Sequence, residues 1–315
     1  MATNDHGGPA WALGSGLCLA ASPDSWGIWF PDDDRQMGYG RFLDEVAAAG
    51  YEWVELGPYG YLPTDPEVLH GELGQRGLRV TAGLTFGALH RPDDWDQMLS
   101  VIRDVAALTA AMGAHDLVVV PPLYRDMRTG EYTESPELTD SQRTGMYAAA
   151  DELGRILLDD YDLRLCVHPH ADSHIETQRE IEHFLGGTDP GLVWLCLDTG
   201  HVAYGGGDNI ALIRRFGDRI GCVHLKQVSP EVLRQVREQS LSFGEAVKRG
   251  VFVELPAGIP DPAAVISELA SLGAPMFVLA EQDLYPCAAD VPLPIAIRTR
   301  EFLNGCGLSA WPGKQ

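Results

Sequence analysis

The sequence predicts a single (β/α)8 barrel, on three observations. Eight short apolar runs recur along the chain, amphipathic segments separate them, and the length suits one such barrel. The chain has 315 residues, where barrels of this kind take about 250, or more with insertions. Hydrophobic residues make up 45% and charged residues 22%. That balance belongs to soluble globular domains and excludes disordered, collagen-like and coiled-coil chains.

In order, the runs are LCLAAS (17–22), YEWVEL (51–56), LRVTAGL (78–84), DLVVV (116–120), LRLCVH (163–168), LVWLCLD (192–198), RIGCVHLK (219–226) and PMFVLAE (275–281). Near-continuous apolar runs mark strands covered on both faces, as in a parallel sheet. The stretches FLDEVAAAG, DDWDQMLSVIRDVAALTAAMG, QRTGMYAAADELGRILLDD, TQREIEHFL and DPAAVISELASLG carry helical periodicity. Gly50, Gly77, Gly113 and Gly273 precede the next strand, where a left-handed residue ends a helix. A doubly wound open sheet is the competing arrangement. It is disfavoured because no GxGxxG follows the first run and no GxxxxGK[ST] loop occurs.

Residues 1–16 read as a flexible leader from their Gly and polar content, leaving 17–308 for the barrel. Between the seventh strand and its helix, 229–260 reads as a long insertion, expected to form a lid or partner surface. It makes a homodimer plausible.

The balance of 23 Lys+Arg against 45 Asp+Glu gives a formal charge of −22. Such a surface repels phosphate backbones and anionic headgroups, so neither nucleic acid nor a membrane is expected as a partner. No apolar run reaches the roughly 18 residues of a membrane span. No Lys or Arg precedes Arg35, so the basic start of a secretory signal is missing. The six cysteines lack CxxC spacing, and Cys166, Cys196 and Cys222 sit inside apolar runs as small buried hydrophobes. The expected compartment is the cytoplasm.

Chemistry in such a barrel gathers at the C-terminal ends of the strands. There the sequence places Glu55 on the second strand and His168 with His170 on the fifth. Asp198 and His201 follow on the sixth, His224 and Lys226 on the seventh, Glu281 and Asp283 on the eighth. Residues two apart on a strand share a face. His, Asp, His and Glu from four successive strands can therefore converge on a divalent ion with positions left open. His174 and His183 read as surface residues of the following helix. The DDD at 32–34 reads as a solvated loop face, with cover over a substrate as the alternative. SPDSWGIWF (22–30) supplies rings, Trp26 among them, either for packing or for the apolar face of a sugar or cyclitol.

The stretch HPHADSHIETQREIEHFLGGTDPGLVWLCLDTGH, with VHLK and AEQD after it, resembles the sugar phosphate isomerase/epimerase superfamily of xylose-isomerase-like barrels. Within that superfamily it is most similar to the inosose (2-keto-myo-inositol) dehydratases. The resemblance implies metal ligands His168, Asp198, His224 and Glu281, and substrate-facing positions His170, His201 and Lys226. It implies a divalent ion, Mn2+ or Co2+ ahead of Mg2+ or Zn2+. The implied substrate is a keto-sugar or keto-cyclitol that loses a proton next to its carbonyl. Three positions depart from the dehydratase pattern: Leu279 where a glutamate is usual, Pro121–Leu123 where polar residues are usual, and Gln227 in place of aspartate.

Three outcomes stay open: dehydration, isomerisation or 3-epimerisation, and a binding protein without turnover. Among the acting groups, Lys226 is expected to have a lowered pKa and to serve as general base or acid. His170 or His201 would protonate the departing hydroxyl. Glu55 and Trp26 would contact substrate, with Glu55 an alternative base.

Overall fold

The computed structural model describes residues 16–308. Its strands are β1 (Leu17–Ala21), β2 (Trp53–Val54), β3 (Arg79–Val80), β4 (Ala82–Phe86), β5 (Asp116–Val120), β6 (Arg164–Val167), β7 (Val193–Asp198), β8 (Ile220–Leu225) and β9 (Met276–Ala280). They form one parallel sheet in the order β3-β2-β1-β9-β8-β7-β6-β5-β4. β3 and β4 are two halves of the third apolar run, split at Thr81. The first half pairs with β2 and the second with β5. Thr81 N–H donates to Val54 and Leu56 N–H donates to Ala82, so the ring closes. The eight expected strands are thus the eight staves of a barrel.

Helices Tyr39–Ala48, Trp95–Ala111, Asp140–Tyr161, Gln178–Gly187 and Pro262–Ser271 occupy the predicted amphipathic stretches. Their ends follow local chemistry. Thr139 with Gln142, and Thr177 with Glu180, form reciprocal capping boxes, each satisfying two orphan backbone donors. The four glycines expected after helices have φ between 67° and 85°, where a side chain would strain the turn.

Period-two alternation sorts the strand residues. One set packs against the helices in the main core, including Leu165, Val167, Leu195, Leu197, Val223 and Leu225. The other fills the barrel with Cys166, Cys196, Cys222, Val118 and Ala82 on one side, and Ala20, Phe277 and Leu279 on the other. Among the described residues no helix is long and apolar enough to cross a membrane.

After β8 the chain makes helices Pro230–Gln239 and Phe243–Lys248 before reaching Pro262–Ser271. Val228 bridges both Phe252 and Ile259. The Gln227 amide donates to the carbonyls of Gly258 (2.7 Å) and Pro260 (2.6 Å), returning the segment to its point of departure. An aspartate there would have no N–H to donate, which gives this departure a structural purpose. Of the leader expected over 1–16, residues 1–15 lie outside the described residues.

Candidate active site

The inward rows rise toward the barrel mouth in polarity. On β6 and its extension they run Arg164, Cys166, His168, His170. On β7 they run Trp194, Cys196, Asp198; on β8, Cys222, His224, Lys226; and past β9, Leu279, Glu281, Asp283. The structure brings together His168, Asp198, His224 and Glu281, all buried. Asp198 Oδ2 lies 3.3 Å from His168 Nε2 and 4.0 Å from His224 Nδ1. Glu281 Oε2 lies 2.7 Å from His224 Nδ1. Leu279 is one layer below, beside His224 in register. The carboxylate at the mouth on this strand's extension is that of Glu281.

Several of these atoms are buried without an aligned hydrogen bond: Asp198 Oδ2, His224 Nδ1 and Glu281 Oε2. Buried polar atoms ordinarily have partners. They approach one another closely without mutual alignment, and Asp198 Oδ2 also lies 3.1 Å from Lys226 Nζ. Asp198, His224 and Glu281 each offer one ligand atom within 4.8 Å of the others, and so do His168, Asp198 and His201. This donor set fits a divalent ion of the borderline type.

Lys226 Nζ sits among the acids, 3.1 Å from Asp198, 2.5 Å from Glu281 and 2.9 Å from Asp283. Burial disfavours its charge, but Asp198, Asp283, Glu281 and Asp24 outweigh burial and hold its pKa well above the usual value. The expected lowering rested on a nearby cation; the chain's own acids act in the opposite direction. His224 is likewise raised, because Glu281 and Glu55 overcome its burial. Burial, then Glu281 and Lys226 acting in opposite directions, leave Asp283 pushed up to about 6.

His170 and His201 stack with ring centroids 3.9 Å apart, and one residue fixes both tautomers. The Ala171 carbonyl lies 2.8 Å from His170 Nδ1, while the Ala171 N–H donates to His201 Nδ1 at 3.0 Å. His170 therefore presents a bare Nε2 and His201 an Nε2–H. Burial, then His168, lowers His170 to about 3; burial, then His170, lowers His201 well below the usual value. Both rings are neutral.

Two expected contacts lie elsewhere. Glu55 is fully buried behind His224 and bonds its Nε2 at 3.1 Å. It orients that imidazole and does not line the cavity. Trp26 is also buried, with its indole N–H donating to Glu45 at 3.1 Å and its ring edge-on to Phe42. Trp29 reaches the cavity in its place, stacked between Phe243 (5.4 Å) and Tyr285 (4.7 Å). Asp24, which sequence reasoning passed over, also lines the cavity; its only signal was its place just past β1. Asp32 and Asp34 are exposed, whereas Asp33 accepts from the Tyr285 hydroxyl at 2.6 Å. His183 is exposed on its helix. His174 is not a surface residue: it precedes the Thr177 cap and turns inward, 5% exposed.

The cavity above the cluster has a volume of about 630 Å³. Its floor is polar and its sides are apolar, with Ile28, Phe30, Leu84, Pro122, Leu123 and Met127 among them.

A family model described as xylose isomerase-like TIM barrel matches residues 43–299. The chain belongs to that family. Inosose dehydratase of Geobacillus kaustophilus is 30% identical over 287 residues, 88% of this chain and 91% of the relative. Inosose dehydratase of Bacillus velezensis is 27% identical over 289 residues, 89% and 95% of the two chains. The solved structure of the IOLI protein with a binding zinc atom is 16% identical, with a TM-score of 0.63 over 90% of this chain and 96% of that one. The chain is an enzyme of this family, on a barrel whose polar mouth sits where the fold places chemistry.

Proposed function

We propose that this enzyme abstracts a proton next to the carbonyl of a keto-cyclitol or keto-sugar and expels a β-hydroxyl, as an inosose dehydratase-type lyase. The observation that carries the reading is the convergence of His168, Asp198, His224 and Glu281 beside a buried lysine. These four would hold a divalent ion, Mn2+ or Co2+ ahead of Mg2+ or Zn2+. Bound there, the ion would polarise the ketone and stabilise the negative charge that develops next to it.

The chain's own groups do the rest. The Asp283 carboxylate, which lines the cavity beside Lys226 Nζ, would accept the proton from the α-carbon, with the Lys226 ammonium as the general acid next to it. His170 Nε2 accepts from one substrate hydroxyl, and the His201 Nε2–H donates to the hydroxyl that leaves. Glu55 holds the His224 ring. Named relatives that are inosose dehydratases support dehydration over the alternatives. A cytoplasmic setting accords with three thiols buried in the barrel.

One observation favours a second reading of substrate size. The cavity exceeds what a single six-membered ring fills, and its excess is apolar. A keto-sugar bearing an apolar substituent would use that wall, with epimerisation or isomerisation as the outcome.

Proton NMR of 2-keto-myo-inositol in D2O with the purified enzyme and Mn2+ tests both readings. Loss of water to a dione is the expected result. Deuterium uptake or a new isomer without water loss establishes the isomerase/epimerase reading instead. No change with metal-loaded protein overturns the keto-cyclitol substrate.

A further inference from the structure

Away from the central cluster, the geometry points to a second divalent-ion site of the zinc type, built by His90, Glu134 and His174. The three residues come from the successive loops after β4, β5 and β6. One ligand-capable atom of each lies within 4.8 Å of the other two. His90 Nε2 is 3.0 Å from Glu134 Oε2, and the two imidazole rings are 4.5 Å apart at 61°. That N···O separation is close to the spacing of two ligands each about 2.0–2.1 Å from a zinc ion.

His174 is the deciding residue. Its Nε2 lies 2.9 Å from the Ser135 carbonyl, so that nitrogen carries the proton. Its Nδ1 is left as a lone pair, buried and without a hydrogen-bond partner. An imidazole whose second nitrogen donates to a backbone carbonyl is oriented as metal-ligating histidines are. The Arg91 guanidinium donates to Glu134 Oε1 at 2.7 Å and more distantly to Oε2 at 3.3 Å, fixing the carboxylate. Two imidazoles and one carboxylate suit Zn2+ rather than Mg2+ or Ca2+, with a position left open.

The site would pin a wall rather than carry out chemistry. Residues 121–139 contain no regular strand or helix, only the bridges Leu123↔Ser173 and Arg125↔Tyr132. Yet Leu123, Met127 and Thr133 of this stretch line the cavity. An ion joining Glu134 to His90 and His174 ties that stretch to the loops on either side.

The test is Zn2+ titration of the chelator-stripped full chain by calorimetry, with metal content measured by mass spectrometry. Wild type should take two equivalents, and His174→Ala and His90→Gln should each take one. Asp198→Asn should lose the other equivalent and keep this one. With Co2+ in place of Zn2+, the His174→Ala difference should appear as a lost visible absorption band. Circular dichroism shows that each variant is folded; His90→Gln keeps a polar group in place should His174→Ala not fold. Unchanged stoichiometry in both histidine variants overturns the inference, as does a single wild-type equivalent that Asp198→Asn abolishes. A single equivalent that survives Asp198→Asn but not His174→Ala supports this site and refutes the ion proposed at the catalytic cluster.

Discussion

The two ends of the barrel interior are built from the same strands and treat polarity in opposite ways. At the N-terminal end, the Arg164 guanidinium grips Asp116 with two hydrogen bonds, 2.7 and 2.9 Å. Arg164 lies over the Trp194 ring, and the Cys166 thiol reaches the same carboxylate at 3.6 Å. Both Asp116 oxygens are satisfied and the group is closed. At the mouth, four or five residues further along, Asp198, His224 and Glu281 leave buried atoms unmatched. Lys226 is the centre of three carboxylates at once. A layer of thiols from Cys166, Cys196 and Cys222 separates the two. A protein completes its polar pairs where only stability is at stake. It leaves them incomplete where a ligand is to finish them.

That contrast is open to attack, beginning with the mouth. Asp198→Asn should bring turnover below detection and lose the ion held at the mouth, one equivalent fewer than wild type in metal analysis of the purified variant. Lys226→Met should lower kcat by about 10²–10⁴, the usual worth of one positioned acid or base, while metal content stays at the wild-type level. Surviving turnover would remove Lys226 from its role. Glu55→Gln keeps the shape but weakens the hold on His224. Metal affinity should fall about 10–100-fold, with circular dichroism unchanged. At the closed end, Arg164→Ala leaves a buried carboxylate unpaired and should cost about 3 kcal/mol in urea unfolding. Its kcat per folded molecule should not change. The smallest effect belongs to Trp26→Phe, which loses one hydrogen bond to Glu45, worth about 1 kcal/mol. KM should hold steady there, whereas Trp29→Ala should raise it.

Legibility in the sequence tracks how local the cause is. Strands buried on both faces announce themselves as unbroken apolar runs, and helix ends carry their own caps, so the barrel could be read run by run. The inward period of two put His168, His224 and Lys226 at the mouth for the same reason. What resisted reading depends on distant partners. Glu55 meets His224 across 169 residues, and no spacing rule connects them. Among the aromatics of SPDSWGIWF, composition cannot tell which faces the cavity. The answer lies in the tight turn Pro23–Trp26, capped by Ser22 and ended by Gly27 at φ 69°. It swings Trp26 inward and releases Trp29 outward. A Cβ at Gly27 would come within 2.8 Å of the Cys287 sulfur, so the turn admits little else. His90, Glu134 and His174 sit on three separate loops and leave no pattern in the chain.

Trp29, held nearly parallel between Phe243 and Tyr285, joins two loops and a short helix of the rim and is also a chromophore. Rings packed this closely couple their electronic transitions, and the indole's emission depends on what lies against its face. Trp29 and Phe243 line the cavity, so a molecule that settles against them changes the indole's surroundings before any bond changes. The molecule therefore carries its own optical clock. Rapid-mixing fluorescence can time arrival at the mouth separately from the proton chemistry proposed beneath it.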